Sequence, residues 1–487
     1  MSRTVIRRNI YSIAFKTYTN IEQLVGRYAG DRARRRVRRW AFLQRASFFP
    51  RFDIQTENTK NSSLNINTSH DSVMPDWIIE HMALLGAKLE PELFPTMSQA
   101  AKYRSIPAAI VVAPGRCYEN LLRQCNNSDY SIVFLLPWLT HGGADKEAID
   151  LINTVAKTRA QPVLVILSES AESPWATRLH HNASVLSLNN DFHILPHSEQ
   201  MLLLATLVQN VQCKHLHVVN SKTGWALVQK YGKALSQTLR ITAHLFCESI
   251  GERGELYGYG SEYLRSSYPY VTTIFTDSQY MIEQMIEYYA IPRTLFQVLR
   301  QRTESSQYST RQLSDSSRVL WAGRLDRQKR PDILVRVAKL LPSIHFDVYG
   351  RSVLDDTSDI IRELSALPNV TMFGEYEDFV KIVQHRHYVF MYTSAWDGFP
   401  NVLIEAARAS LPIIAPAVGG IPEILNDTNS YLLKMDSEAE AYAEAISAIC
   451  SDYKEATSRA RSLHETILKV FNSQLFDRRV AELFQGV

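Results

Sequence analysis

The chain has 487 residues, 45% hydrophobic and 21% charged, which is long enough to need more than one core and too apolar for a disordered chain. Its formal charge of +3 hides an asymmetry: residues 1–52 hold 13 basic side chains against two acids, Glu22 and Asp31, so this head carries +11 and the other 435 residues −8. The five cysteines, Cys117, Cys125, Cys213, Cys247 and Cys450, show no C-x-x-C spacing, which fits scattered thiols in a cytoplasmic protein better than a disulfide framework or a zinc site. No apolar run approaches the length of a membrane span, and the start lacks the apolar stretch of a secretory signal. An Arg-rich, acid-poor start is also what a transit peptide has.

In the head, Ala33, Val37, Trp40 and Ala41 fall on one helical face and Arg32, Arg35, Arg36 and Arg39 on another, with Phe42, Leu43, Phe48 and Phe49 close by. Residues 27–52 are therefore a candidate contact for an anionic membrane surface, which would make the protein peripheral on the cytoplasmic face of the inner membrane. The alternative is a solvated helix docked on the acidic body. Arginine density alone also admits nucleic acid, but no recognisable module accompanies it and no nucleic acid is expected. Residues 55–72 are rich in Asn, Ser and Thr and read as a flexible linker or long loop, and 76–84 as a short amphipathic helix. Residues 1–106 thus form a basic N-terminal extension with a polar linker.

From residue 107 short apolar runs alternate with helical patterns. The predicted strands are Ala108–Ala113, Ile132–Leu136, Pro162–Leu167, Val185–Leu188, Leu216–Val219, Arg240–Phe246 and Val271–Phe275, with helices near 144–158, 199–210, 222–235 and 278–289. After a polar stretch at 303–317 a second series follows: strands Val319–Ala322, His345–Val348, Val370–Phe373, Tyr388–Tyr392 and Ile413–Ala415, helices near 330–341, 357–366, 376–385 and 400–409. The last 50 residues read as helices. Continuous apolar strands alternating with helices predict an α/β chain of two doubly wound parallel-sheet domains, 107–302 and 303–470, facing a cleft. Ligands of such sheets sit at the carboxyl ends of the strands.

Four constellations lie at those ends. Arg324 and Lys329, in Trp321-Ala-Gly-Arg-Leu-Asp-Arg-Gln-Lys329, can converge on an anion such as a diphosphate; the plain alternative is a solvated basic turn. In Ser394-Ala-Trp-Asp-Gly-Phe-Pro-Asn-Val-Leu-Ile-Glu405, Gly398 and Pro400 mark a turn into a helix whose first N–H groups can bind phosphate. Asp397 and Glu405 can accept from sugar hydroxyls, or merely favour the helix dipole and sit on the surface. Gly142 and Gly143, in Pro137-Trp-Leu-Thr-His-Gly-Gly-Ala-Asp-Lys146, permit close backbone approach, though the string is neither G-x-G-x-x-G nor a Walker A sequence. His244 ends an apolar strand, where a side chain faces either the cleft or the core. The pairs His180/His181 and His215/His217 have no carboxylate or thiol at ligand spacing, so no metal is predicted.

The strings THGGADKEAIDLI, WAGRLDRQKRPDIL and TSAWDGFPNVLIEAARASLPIIAPAVGGIPEIL, in that order and spacing, resemble the retaining glycosyltransferases of family 4, whose fold is GT-B. The resemblance is strongest over 317–425 and absent over 1–75. It implies a nucleotide-sugar donor with uracil or guanine as base, no further cofactor and no metal. By the resemblance, Gly142 and Gly143 approach the donor phosphates, His244 approaches the transferred sugar, and Arg324 and Lys329 stabilise the departing diphosphate. The family's paired acids fall on Asp397, toward the sugar, and Glu405, toward the ribose. Gly398, Phe399, Pro400, Asn401 and Val402 would offer backbone N–H groups, and Gly374, Glu375 and Tyr376 would hold the base. Asp397 departs from the family's Glu. The acceptor implied is an oligosaccharide, lipid-linked or growing, in bacterial surface polysaccharide or lipopolysaccharide synthesis, and residues 471–487 would form a helix crossing back to the first domain. A GT-B-like binding protein without catalysis is the rival reading.

Overall fold

The computed structural model describes residues 76–88, 112–125, 129–169, 172–251, 253–314, 317–352 and 357–484. The basic head with its candidate membrane segment 27–52, the polar stretch 55–72, and all but the end of the strand expected over Ala108–Ala113 lie outside them. The chain divides into two compact units, residues 1–112 and 113–487. In the first, helix α1 (Asp76–Lys88) runs four residues past its expected end. No described helix is long and apolar enough to cross a membrane.

The second unit holds two parallel sheets. The first is built from β1 (Ile132–Leu136), β2 (Val163–Leu167), β3 (Ala183–Ser187), β4 (His215–Val219), β5 (Arg240–His244), β8 (Thr273–Thr276) and β9 (Phe296–Val298), in the order β3-β2-β1-β4-β5-β8-β9. A short hairpin, β6 (Ser249–Ile250) with β7 (Leu256–Tyr257), follows β5. All five residues of β1, β2 and β4 are buried, as the continuous apolar runs of β1 and β2 require when helices cover both faces; β4 buries His215 and His217 among its apolar residues. Those helices include α2 (Ala113–Gln124), α3 (Gly143–Thr158), α4 (His197–Asn210), α5 (Lys222–Leu235) and α6 (Gln279–Tyr289). Ala113, expected to end a strand, instead opens α2, whose buried Cys117 and Leu121 lie four residues apart on one face.

The second sheet runs β12 (Val370–Gly374), β11 (His345–Tyr349), β10 (Arg318–Ala322), β13 (His387–Met391), β14 (Ile413–Pro416), β15 (Tyr431–Leu433). Helices α7 (Pro331–Leu340), α8 (Ser358–Ala366), α9 (Asn401–Arg408), α10 (Ala439–Ser451) and α11 (Tyr453–Val470) pack on it. The helix expected over 376–385 shrinks to Phe379–Ile382. Asp378 caps its start, and the Gln384 N–H bonds His387 Nδ1 at 3.0 Å, so the chain leaves the helix before a second turn forms. The polar stretch after residue 303 is tied down rather than loose: Ser309 N–H bonds Ser410 Oγ at 2.9 Å, and Arg311 donates to the carbonyls of Ala409, Gln384 and His387.

The last helix, α12 (Ser473–Phe484), returns to the first domain and packs with α3 on the sheet face formed by Phe134, Val165 and Phe275. Phe484 stacks on His215 with ring centroids 5.1 Å apart and meets His217 at 5.4 Å. The Thr242 hydroxyl lies 2.7 Å from both His215 Nε2 and His217 Nδ1. Burial depresses both imidazole pKa values, His215 to about 3, so these histidines are neutral core residues.

Candidate functional site

Two loops at the carboxyl ends of β10 and β13 are stitched together. Asp326 caps the turn Arg327–Lys329, accepting the Lys329 N–H at 3.2 Å, and Arg330 turns left-handed into Pro331 at the start of α7. The Lys329 carbonyl accepts from Thr393 Oγ1 at 2.7 Å, and Trp321 Nε1 donates to that same hydroxyl at 2.9 Å. The Gln328 carbonyl accepts from Ser394 Oγ at 3.1 Å and Ala395 N–H at 2.8 Å. The result fixes Lys329 Nζ against the Asp397 carboxylate and 2.7 Å from the Tyr392 hydroxyl, which itself donates to Asp397. Lys329 and Asp397 are only 15% and 13% exposed, which strengthens their charge–charge attraction relative to water. Cys247 reaches Asp397 Oδ1 across the cleft at 3.9 Å; burial, then the Asp397 charge, pushes its thiol up to about 12, so it is a neutral neighbour rather than a nucleophile.

Arg324 stands beside this group, 40% exposed, with Nε 2.9 Å from Asp326 and a terminal nitrogen 2.5 Å from Gln328 Oε1. The expected base loop ends β12. Gly374 has a φ of +75° and accepts the Gly350 N–H at 2.7 Å. Glu375 is exposed and paired with Arg351. Tyr376 packs edge-on against Tyr349 and Phe379, and burial followed by the nearby Glu405 charge raises its phenol. Phe373 stacks on Tyr349 at 4.7 Å and stays 42% exposed, a flat apolar face at the sheet edge.

The turn before α9 departs from expectation. The Gly398 N–H bonds Asp397 Oδ1 at 3.1 Å, and the Phe399 N–H bonds Asp277 Oδ2 at 2.8 Å. The Phe399 ring is a core residue against Phe471. A Cβ on Gly398 would lie 2.2 Å from Asp277 Oδ2, so only glycine lets that carboxylate approach. The backbone cradle expected over 398–402 therefore narrows to the start of α9, where Pro400 precedes Asn401 and Val402 and no side chain caps the helix.

The first domain closes on this start through α3. Its N-cap Gly142 is extended and has no side-chain cap. A Cβ on Gly143 would meet Asn401 Nδ2 at 2.9 Å. Asn401 donates to the Gly143 carbonyl at 3.3 Å and to Glu147 at 2.9 Å. Lys146 places its ammonium 2.5 Å from Glu405 Oε1. His244 is 4% exposed and stacks on Phe246 at 4.7 Å. Its Nε2 has no hydrogen-bond partner among the described residues, and it lines a small cavity with Glu147 and Gln301. Burial pulls its imidazole down to about 4, so it is neutral.

The structure thus brings Lys329 and Asp397 into contact, sets Arg324 on the loop of Lys329, and places Glu405 and Asn401 against the Gly142–Gly143 helix. It does not join His244 to Asp397 or Lys329 by a hydrogen bond. Lys146, Glu147, Cys247, Asp277 and Tyr392 were not among the expected site residues. Asp277 and Tyr392 follow the ends of β8 and β13, the position at which open sheets collect ligand groups, and that signal could have found them.

Residues 304–463 match the model of the Glycosyl transferases group 1 family. The match spans the second sheet and the helices packed on it. Over 160 residues it is 26% identical to the phosphatidylinositol N-acetylglucosaminyltransferase gpi3 subunit of Schizosaccharomyces pombe, covering 32% of this chain and 35% of that one. Over 143 residues it is 24% identical to the O-antigen biosynthesis glycosyltransferase WbnH of Escherichia coli, covering 29% and 41%. The chain spans between about a third and a half of the length of the curated relatives it matches. The solved structure of Anabaena HepE in complex with UDP and glucose superposes with a TM-score of 0.61 at 18% identity, over 74% of this chain and 100% of that one. The fold is accordingly GT-B, two Rossmann-like sheets, with the residues that match the group 1 family model built on the second.

Proposed function

We propose that the protein is a retaining, metal-independent glycosyltransferase. It moves a sugar from a nucleotide-diphosphate sugar, with uracil or guanine as base, to a hydroxyl of a lipid-linked or growing oligosaccharide in surface polysaccharide synthesis. The observation that carries this reading is the fixed charge at the carboxyl ends of β10 and β13. Lys329 is held by backbone and hydroxyl contacts in a largely dry site, with Arg324 on the same loop. A departing diphosphate gains negative charge, and preorganised cations in such a site stabilise it with little reorganisation. The start of α9 adds uncapped N–H dipoles. Asp397 accepts from sugar hydroxyls, Glu405 from the ribose, and the exposed Phe373 face and Tyr376 border the base.

In the retaining step, the acceptor oxygen bonds the anomeric carbon on the face from which the diphosphate leaves. The carbon–oxygen bond to phosphate breaks, and the leaving phosphate oxygen takes the acceptor's proton. His244 approaches the transferred sugar from the first domain as a neutral ring. The name of the gpi3 relative, with its phosphatidylinositol, and that of the O-antigen relative support a lipid-borne or polysaccharide acceptor. The HepE complex with UDP supports the donor class. We assign residues 27–52 to the cytoplasmic membrane surface that carries such an acceptor.

The test is incubation of the purified chain with a panel of UDP- and GDP-sugars, reading slow hydrolysis without acceptor and transfer with lipid-linked acceptors, the anomeric configuration being assigned by NMR. Retention of configuration is expected. No turnover of any nucleotide sugar, with or without acceptor, defeats the enzyme reading in favour of a binding protein. Unchanged turnover in His244→Ala returns that residue to packing alone.

A further inference from the structure

We propose that Lys146 is a donor-phosphate residue that Glu405 holds in reserve until the ribose displaces it; this rests on the nucleotide-sugar reading above. Lys146 lies in the first turn of α3, where its backbone N–H closes on the Gly142 carbonyl at 3.0 Å. Its ammonium reaches 2.5 Å from Glu405 Oε1 on a helix 259 residues away in the chain. The pair joins the two domains across the opening of the cleft. Lys146 is 41% exposed and Glu405 20%, so the bond is wet on one side and weak enough to exchange.

The neighbours show why this ammonium is the one that moves. Asp145, beside it, is occupied by the Thr140 N–H at 3.0 Å and the Thr140 hydroxyl at 2.9 Å. Glu147, on its other side, is taken by Asn401. Asn401 also bonds the Gly143 carbonyl, so the starts of α3 and α9 lie against each other with Lys146 at the seam. A ribose diol that donates to Glu405 competes with the ammonium for the same carboxylate oxygen. Displaced, the ammonium stays on its flexible stem between two helix starts, neither of which has a side-chain cap. Both starts carry partial positive charge, and three positive ends in one place suit the diphosphate that follows the ribose. The exchange makes no covalent bond: one ion pair is traded for a hydroxyl–carboxylate bond and an ammonium–phosphate bond.

Calorimetric titration of the full chain with uridine, UDP, guanosine and GDP tests this, using wild type, Lys146→Met and Lys146→Arg. In Lys146→Met the preferred nucleoside diphosphate should bind about tenfold more weakly, the loss of one charge-assisted contact. Its nucleoside should bind as well as in wild type or better, because Glu405 is released. Lys146→Arg should recover most of the diphosphate affinity. Diphosphate affinity within twofold of wild type in Lys146→Met overturns the inference, as does equal weakening of nucleoside and diphosphate. A wild-type chain that binds neither diphosphate removes the donor reading and this inference together.

Discussion

The C-terminal side of the cleft holds its charges by many local bonds, whereas the N-terminal side reaches the site by single contacts from separate elements: the first turn of α3, Cys247 after β5 and Asp277 after β8. Lys329 is fixed through its backbone by Asp326 and Thr393 and through its ammonium by Asp397 and Tyr392. On the other side Gly143, Lys146 and Glu147 all ride on the first turn of α3, and α3 is in turn supported from beneath by α12. Chemistry that needs charge in place before the reaction belongs on the first side. Closing and opening belong on the second, whose contacts with the site come one by one from separate elements.

Lys329→Ala should break the stronger side. The substitution removes a preorganised cation from the leaving group and leaves the Asp397 charge without its cationic partner. Turnover is expected to fall about 10²–10³-fold, read as kcat for donor hydrolysis or transfer. Thermal denaturation separates this from misfolding, and turnover within a few-fold of wild type in a folded variant would sink the role.

Phe484→Ala should loosen the weaker side from below. The ring sits against Phe134, Phe275, His215 and His217, so truncation leaves a cavity and costs about 3 kcal/mol, measured by urea denaturation. If α12 only decorates the domain, the loss will be that of a surface residue, within about 0.5 kcal/mol.

Glu405→Gln sharpens the contrast between the sides. It keeps an acceptor oxygen but removes the charge that Lys146 pairs with and that a ribose diol would use. The donor KM should rise about tenfold with a smaller change in kcat, because hydrogen bonds to a charged group are worth about 1.5–3 kcal/mol. A kcat loss as large as that of Lys329→Ala would place Glu405 in the chemical step instead.

Most of the parallel strands and their helices were legible because the pattern is local, as in the five-residue apolar run Ile132–Leu136; the edge strands β9 and β15, three residues each, are too short to show one, and the start of α2 was read as a strand end. The two loops carrying Lys329 and Asp397, and the helix carrying Glu405, were legible because in each case strand, turn and helix start follow one another in the sequence. What joins the two sides was not. Lys146 meets Glu405 over 259 residues, Asp277 meets Phe399 over 122, and Cys247 meets Asp397 over 150. No periodicity encodes such pairings. Asp277, before Ser278 and α6, looks like an ordinary turn acid, and Tyr392 looks like one more apolar strand residue. Phe399 failed in the opposite direction: its place in a phosphate-binding string hid that Asp277 consumes its N–H and the core its ring.

The last expected effect, confined to a window of pH, concerns that buried acid. Burial first raises the Asp277 carboxyl to about 6, against bonds from the Phe399 N–H and the Ser278 hydroxyl that favour the charged form; Asp397 and Glu423 then add to the rise. Between its ordinary range near pH 4 and pH 6 the folded chain therefore holds a proton that the unfolded chain has released. A folded state that binds the extra proton loses stability as pH rises through that window. Asp277→Asn keeps an acceptor for the Phe399 N–H and has no proton to lose. The stability of wild type minus that of Asp277→Asn should accordingly fall from pH 4 to pH 6, by roughly 1–3 kcal/mol, and then level off. Urea denaturation of both proteins at pH 4, 5, 6 and 7 gives the difference, in which the His244 titration largely cancels. Glu147 does not cancel fully, because the Asp277 charge is the second cause, after burial, of its raised pKa; removing that charge widens the fall rather than reversing it. A difference that is flat, or that grows with pH, would mean that water reaches this carboxylate and that the seam between α3 and the turn before α9 is open in solution.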